Sequence, residues 1–188
     1  MPRLSKNDWT AAALAALAEG GVPAVAIEPL AARVGATKGS AYWHFPNREA
    51  LLEATLRRWE TEHAGALAEL VEADRPPPVE RLRRLLGAVL DAARPDHVEL
   101  ALLASADEPL VAAALRRVTE RRLSYLARLF GQLGFTPAQA RRRAVLAHSL
   151  YLGQAQLVRG APEVLPRTSP ARRAQLDDAV RTMTAPPA

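Results

Sequence analysis

The chain has 188 residues, of which 49% are hydrophobic and 24% charged, the ordinary balance of a protein with a packed core. It contains no cysteine, which excludes disulfides, thiolate metal sites and cysteine nucleophiles. No apolar run approaches the roughly 20 residues that cross a bilayer, so we expect no membrane partner and a cytoplasmic location. The net charge of +5 favours a polyanionic partner without identifying one.

The residue types and their periodicity favour an all-α fold. Alanine and leucine dominate, β-branched and aromatic residues are sparse, and the 15 prolines fall mostly between periodic segments. Capping residues, first-turn prolines and terminal glycines together predict about nine helices. These are expected at residues 5–19, 28–34, 38–44, 47–74, 79–93, 96–105, 109–133, 137–159 and 169–183.

The second and third predicted helices are short and separated by a tight turn. Gly35 ends the second helix, and Thr37 supplies a hydroxyl that caps the third. Two short helices joined by a glycine-bearing turn outline a helix-turn-helix. Its second helix must enter a major groove about 12 Å wide, so small and hydrogen-bonding residues are expected on its outer face. Four consecutive residues fit this description: Thr37, Lys38, Gly39 and Ser40.

The segment from Leu4 to Trp59 resembles the TetR family of one-component regulators. The resemblance rests on the glycine after the first helix, on Leu-Ala-Ala-Arg-Val-Gly in the second helix, and on the block from Tyr42 to Phe45 followed by Arg-Glu-Ala-Leu-Leu. It implies a three-helix DNA-binding domain at residues 1–46 and a helical bundle at 47–188 that binds ligand and dimerises. The implied function is a repressor that a small-molecule inducer releases from double-stranded, palindromic operator DNA.

The resemblance also implies DNA contacts for the aromatic block. Tyr42, His44 and Arg48 lie where the family holds phosphates, and Trp43 lies where it meets the DNA backbone or a thymine methyl. Packing alone is the alternative for Tyr42 and Trp43, and Phe45 is expected in the core.

The start of the second helix departs from the family pattern. Where the family usually has a hydroxyl that touches phosphate, Ala26 and Ile27 offer none, and Glu28 adds a charge that DNA would repel. Glu28 instead suits the helix amino terminus, where an acid is favoured by the dipole. Residues 1–60 contain seven Lys/Arg and six Asp/Glu, so DNA binding must depend on where the charges lie.

Alanines recur along one side of the predicted helix at 137–159, whose other sides also bear apolar residues. A helix that is apolar nearly all round must be buried nearly all round. We therefore expect a homodimer whose interface includes Ala140, Ala144, Ala147, Tyr151 and Ala155. The alternative is an interior helix of a monomer.

Polar and aromatic side chains on otherwise apolar helices are candidates for a small-molecule site. They are Trp59, His63, Tyr125, His148, Tyr151 and Gln154. Ordinary packing or a surface position is the alternative for each of them.

Catalysis is not expected. Asp96, His97 and Glu99 could begin a metal or acid-base site, but such residues at the start of a helix usually serve capping and dipole roles. The sequence has no phosphate-binding glycine loop, nucleophile elbow or paired metalloprotease histidines. We predict no enzyme activity, cofactor or metal. Two rivals to the repressor remain: a helical interaction protein that no longer binds DNA, and a DNA-binding protein without a ligand.

Overall fold

The computed structural model describes residues 4–72, 76–90 and 97–186, with side chains described outside 63–72. Within these residues the chain forms α-helices, two short 3₁₀ turns and no strand, which confirms the all-α prediction. The helices are α1 (Lys6–Gly20), α2 (Ile27–Arg33), α3 (Lys38–His44), α4 (Arg48–Glu72), α5 (Pro78–Leu90), α6 (His97–Leu103), α7 (Pro109–Gln132), α8 (Pro137–Gly160) and α9 (Ser169–Thr184).

The predicted helices agree with those observed to within one or two residues at every described end. The predicted ends at 74 and 93 and the predicted start at 96 lie outside the described residues. The two 3₁₀ turns, Val22–Ala24 and Pro162–Val164, were not predicted. Each has a proline in its first two positions, and three residues are too few to show a helical period.

Side-chain caps fix where several helices begin. Ser5 and Asp8 form a reciprocal capping box at α1, and Thr136 and Gln139 form another at α8. At α1 the backbone N–H of Ser5 donates to the Asp8 carboxylate, and this bond, with a second from the Ser5 hydroxyl, lowers the pKa of Asp8. Such bonds satisfy amides that a helix leaves unpaired in its first turn.

The turn between α2 and α3 requires a glycine. Gly35 adopts φ +64°, in the left-handed region that side chains with a Cβ seldom occupy. The chain then reaches Thr37, whose hydroxyl accepts a hydrogen bond from the backbone N–H of Ser40 at 3.3 Å. Glycine and threonine together set the direction in which α3 leaves the turn.

The chain divides into two compact units. The first combines residues 1–64 with 96–117, and the second combines 65–95 with 118–188. The two units group residues by packing, so the functional boundary predicted between residues 46 and 47 stays a prediction. Helix α4 contributes residues to both units.

In the first unit, α1 and α4 bury large apolar side chains. Trp9, Leu17 and Trp59 are fully buried, and α1 packs against α2 and α6. Glu60 is buried at the end of this face, and its carboxylate accepts a hydrogen bond from Nε of Arg117 at 3.1 Å. The carboxylate raises the pKa of Arg117, chiefly through its hydrogen bonds to the guanidinium. This pair ties α4 to α7.

In the second unit, α5, α7, α8 and α9 enclose one apolar core. The buried residues of this core are Leu82, Leu85, Leu86, Leu129, Phe130, Ala140, Ala147 and Val180. The small alanines of α8 let neighbouring helices approach closely. Since α5 packs against both α8 and α9, this core holds the carboxyl-terminal half of the chain together.

Replacing Thr136 by alanine tests the capping box of α8. We expect Thr136→Ala to lower the free energy of unfolding by about 1 kcal/mol, because the amide of Gln139 loses its acceptor. Urea unfolding followed by circular dichroism measures this loss. Thr182→Ala, at an exposed position inside α9, is the control and should cause no loss. Equal destabilisation by the two changes would contradict the role of the cap.

Candidate nucleic-acid interface

Helix α3 has one buried and one exposed side. Ala41 and Phe45 are buried, whereas Tyr42 is 50% exposed and Trp43 is 73% exposed. Large aromatic side chains at such exposure are uncommon on a protein surface that meets only water. Phe45 is in the core, as predicted, whereas Tyr42 and Trp43 are not buried within the chain.

The residues at the beginning of α3 are polar or small and extend this exposed side. Thr37, Lys38 and Gly39 are exposed and Ser40 is half-buried. The backbone does not require glycine at position 39, since an added Cβ would meet nothing nearer than the Thr37 hydroxyl oxygen at 3.8 Å. Gly39 therefore leaves this part of α3 without a projecting side chain, although a larger residue would fit. The four predicted recognition residues thus lie together at the amino-terminal end of one short helix.

His44 and Arg48 hold backbone segments of the predicted DNA-binding domain, residues 1–46, which is called the head below. A ring nitrogen of His44, Nε2, lies 2.9 Å from the carbonyl oxygen of Leu4. Arg48 donates from Nε to the carbonyl of Val25 at 2.8 Å and from Nη2 to that of Val22 at 2.9 Å. The third nitrogen of its guanidinium, Nη1, takes no part in these two bonds.

Glu28 lies beside the first turn of α3. One of its carboxylate oxygens is 3.2 Å from Nζ of Lys38, and both side chains are largely exposed. The sequence predicts that Glu28 stabilises the amino terminus of α2 through the helix dipole, whereas the structure gives this carboxylate a cationic partner on the next helix. The ten-residue separation hid the pair, because no helical period relates the two positions.

Another ion pair lies at the opposite end of α2. Arg33 makes two hydrogen bonds of 2.6 Å to the carboxylate of Glu19. The Arg33 guanidinium lowers the pKa of Glu19 through these bonds.

A cation–π contact lies below α3. The ammonium group of Lys6 lies over the ring of Phe45, 5.5 Å from its centroid.

The predicted small-molecule residues fall into separate groups. His148, Tyr151 and Gln154 lie along α8 in the second unit, where His148 and Gln154 are buried and the His148 and Tyr151 rings stack at 6.0 Å. The guanidinium carbon of Arg122, which sequence reasoning missed, lies 5.0 Å from the centroid of the Tyr151 ring.

Three predicted small-molecule residues lie apart from this group. Tyr125 is half-buried in the second unit and lines a separate shallow pocket of about 150 Å³. Trp59 is fully buried in the first unit. The side chain of His63 lies outside the described residues.

The predicted dimer residues face the interior of a single chain. Four of them are buried: Ala140, Ala144, Ala147 and Ala155. Tyr151 is half-buried. The expected face of α8 is therefore already covered, and Ala140 and Ala147 belong to the core of the second unit.

A different stripe of α8 is exposed. Val145, Leu146 and Leu157 are all more than a third exposed, and Leu152 and Gly153 lie between them at helical spacing. The sequence contained this stripe, but helical periodicity alone could not distinguish it from the alanine stripe, since both are apolar.

Two further properties bear on the class of protein. None of the helices in the described part of the chain is long and apolar enough to span a membrane. Among the described residues, no group of three or more histidines and carboxylates is placed to hold a metal ion.

Comparisons with known proteins place this architecture. Residues 10–55 match the family model described as bacterial regulatory proteins, tetR family. No curated protein matches the sequence. A crystal structure of a transcriptional regulator from Rhodococcus sp. Rha1 superposes with a TM-score of 0.78 at 22% identity, over 98% of this chain and 100% of that one.

Two other structures are similar over nearly their whole length. The reduced form of NemR from E. coli has a TM-score of 0.76 at 17% identity, covering 97% of this chain and 99% of that chain. A transcriptional regulator from Saccharomonospora viridis, solved in complex with choline, has a TM-score of 0.72 at 19% identity, with 94% and 95% covered. At these identities the likeness establishes the fold.

The family model covers residues from α1 to α4, and therefore includes α3 with Lys38, Tyr42 and Trp43. The matched family consists of regulatory proteins, in agreement with the prediction that the chain is not an enzyme. Residues 10–55, which contain the helix-turn-helix, thus match the tetR family of bacterial regulatory proteins, and the chain as a whole has the all-helical fold of solved transcriptional regulators.

Proposed function

We propose that this protein is a dimeric, cytoplasmic repressor that binds a palindromic operator and leaves it when a small molecule binds. The observation that carries the proposal is the exposed side of α3, where Tyr42 and Trp43 follow Lys38 on a seven-residue helix. A single lysine in a low polar surface can donate to guanine acceptors or to phosphate, and the two aromatic side chains supply phosphate and apolar contacts beside it.

The proposed division of labour follows the sequence. Residues 1–46 would bind DNA, and residues 47–188 would dimerise and bind the effector. Two heads joined in this way would read half-sites roughly 34–36 Å apart, one turn of the duplex. Helix α4 begins at Arg48 beside the head and extends into the second compact unit, which makes it the proposed lever between effector and DNA.

The exposed stripe of α8 is the proposed dimer surface. Val145, Leu146 and Leu157 together expose an apolar face, and nothing lies within 4 Å of a Cβ built on Gly153. A glycine within an exposed apolar face lets a second helix approach closely, and the same face on both subunits suits a two-fold axis.

The proposed effector site lies in the second unit around His148, Tyr151 and Gln154. Buried and half-buried polar side chains on an otherwise apolar helix commonly fix the orientation of a bound ligand. Arg122 lies over the face of Tyr151 that a cationic ligand would need. A ligand with an acceptor or anionic group therefore suits this site better than a quaternary ammonium such as the choline of the S. viridis regulator.

The inducer must bind the DNA-free form more tightly than the DNA-bound form. By linkage, the factor by which it weakens DNA binding equals the factor by which DNA weakens its own binding. A coupling of about 1–3 kcal/mol between the two sites would be typical.

Binding to the DNA upstream of the protein's own gene tests the proposed function. We expect an electrophoretic shift that depends on sequence and weakens with salt, since phosphate contacts release counterions. Lys38→Ala should weaken this binding by about 1–3 kcal/mol and change base preference, because a base-reading donor is lost. Wild-type protein without a sequence-dependent shift would favour the rival that no longer binds DNA. Lys38→Ala with unchanged affinity and selectivity would show that the recognition face is misassigned.

Two changes at Arg48 separate a phosphate contact from its backbone bonds. Arg48→Ala should flatten the slope of log affinity against log salt by about 0.9, one phosphate contact, and should also lower the unfolding midpoint. Arg48→Lys keeps the charge but cannot bond both carbonyls in the same way, so it should restore the slope and not the midpoint. A salt slope that Arg48→Ala leaves unchanged would limit Arg48 to holding the backbone.

The dimer surface is tested by matched valines. Val145→Glu places a charge in the exposed stripe of α8, and we expect it to convert the dimer to a monomer in sedimentation velocity runs. Val79→Glu makes the same change at a valine of similar exposure, 45% against 44%, at the start of α5, and should leave the dimer intact. If Val145→Glu still sediments as a dimer, the interface lies elsewhere.

A further inference from the structure

One acidic side chain lies on the surface that would meet DNA. Glu28 in the first turn of α2 pairs with Lys38 in the first turn of α3 at 3.2 Å, and the two side chains are 71% and 66% exposed. A carboxylate here is repelled by the phosphates of any duplex, whatever its sequence. The Glu28 carboxylate therefore weakens DNA binding unless it makes a favourable contact in the complex.

Other paired acids near the head do not engage the recognition helix. Glu19 pairs with Arg33 at the far end of α2, Glu53 pairs with Arg57 one turn away on α4, and Asp8 caps its own helix. Of the acids with described partners, Glu28 is the one that takes a cation from α3.

We propose that Glu28 is a specificity-determining residue that acts through Lys38. Its carboxylate holds the ammonium group of Lys38 in competition with DNA phosphates, so that unrelated sequences gain little from this lysine. On a sequence that offers a base amino group in the major groove, from cytosine or adenine, the carboxylate accepts that donor and Lys38 is free to bind. This inference rests on the proposed function, since it concerns how the same surface chooses its DNA.

The ion pair can exchange partners because it is exposed and weak. Solvent-exposed ion pairs contribute a factor of about two to five in an equilibrium, which DNA contacts can easily outweigh. When the pair opens on unrelated DNA, the carboxylate is left among phosphates with no donor. When it opens over a cytosine amino group, a charge-assisted hydrogen bond replaces the lost pair. The same carboxylate thus opposes one complex and supports the other.

The inference predicts that removing the charge of Glu28 reduces discrimination. With Glu28→Gln, we expect binding to an unrelated duplex to tighten by about three- to tenfold, and the slope of log affinity against log salt to steepen by about one contact. Binding to the upstream duplex should tighten by less than about twofold, because the variant replaces a charge-assisted base contact by a weaker neutral one there as it gains a free lysine. The measurement is fluorescence anisotropy with both duplexes, at equal length and over a salt series.

Glu19→Gln is the matched control. Like Glu28→Gln, it removes one negative charge from the head and breaks an ion pair that involves α2. The broken pair, Glu19 with Arg33, lies at the end of α2 away from Lys38. We expect it to change both affinities by the same factor and to leave their ratio unchanged. A ratio that falls equally in both variants would reduce Glu28 to a contribution to net charge and would overturn the inference.

A double-mutant cycle tests the route through Lys38. In a Lys38→Ala background, Glu28→Gln should lose most of its tightening effect on the unrelated duplex. An undiminished effect would mean that direct repulsion of phosphate accounts for the whole effect without Lys38, which contradicts the proposal. If the wild-type protein discriminates between the two duplexes and Glu28→Gln has the same ratio of affinities, this inference alone is overturned. Wild-type protein that does not discriminate overturns the proposed function and this inference with it.

Discussion

The proposed working surface depends on the burial of Ala41 and Phe45 beneath α3. A helix of seven residues is far too short to be stable alone, so tertiary packing must supply its stability. Because side chains one position apart point in different directions, burying these two residues turns Tyr42 and Trp43 outward. One packing constraint thus both stabilises the helix and determines which of its residues can meet DNA.

Two residues predicted to contact DNA, His44 and Arg48, also hold amino-terminal segments of this chain together. His44 lies within hydrogen-bond distance of the backbone before α1, and Arg48 bonds the segment that leads into α2. Loss of either side chain would disturb the surface as well as remove a contact. Salt dependence and unfolding therefore have to be measured together, since affinity alone cannot separate the two effects.

The sequence predicted the helices and the turn before α3 well, for a physical reason. Gly35, Thr37 and the capping boxes act within a few residues, and local rules of this kind can be read from the chain. The face of α8 that is covered could not be read in the same way. Its alanines and its larger apolar residues both follow the helical period, and only the positions of α5, α7 and α9 decide which side is core. The pair of Glu28 and Lys38 was likewise invisible, because it depends on how two helices meet across a turn.

The near balance of charge in residues 1–60 limits how much DNA affinity the amino-terminal helices can draw from charge alone. A strongly basic domain would bind every duplex tightly through counterion release, whatever its sequence. Here Lys38 is paired with the carboxylate of Glu28 before DNA arrives. In the proposed mechanism this pair lowers the affinity that phosphates alone can supply, and leaves more of the total to contacts that differ between sequences. For a protein that must find one site among many, a weaker non-specific complex raises the specificity ratio even when the specific complex is no tighter.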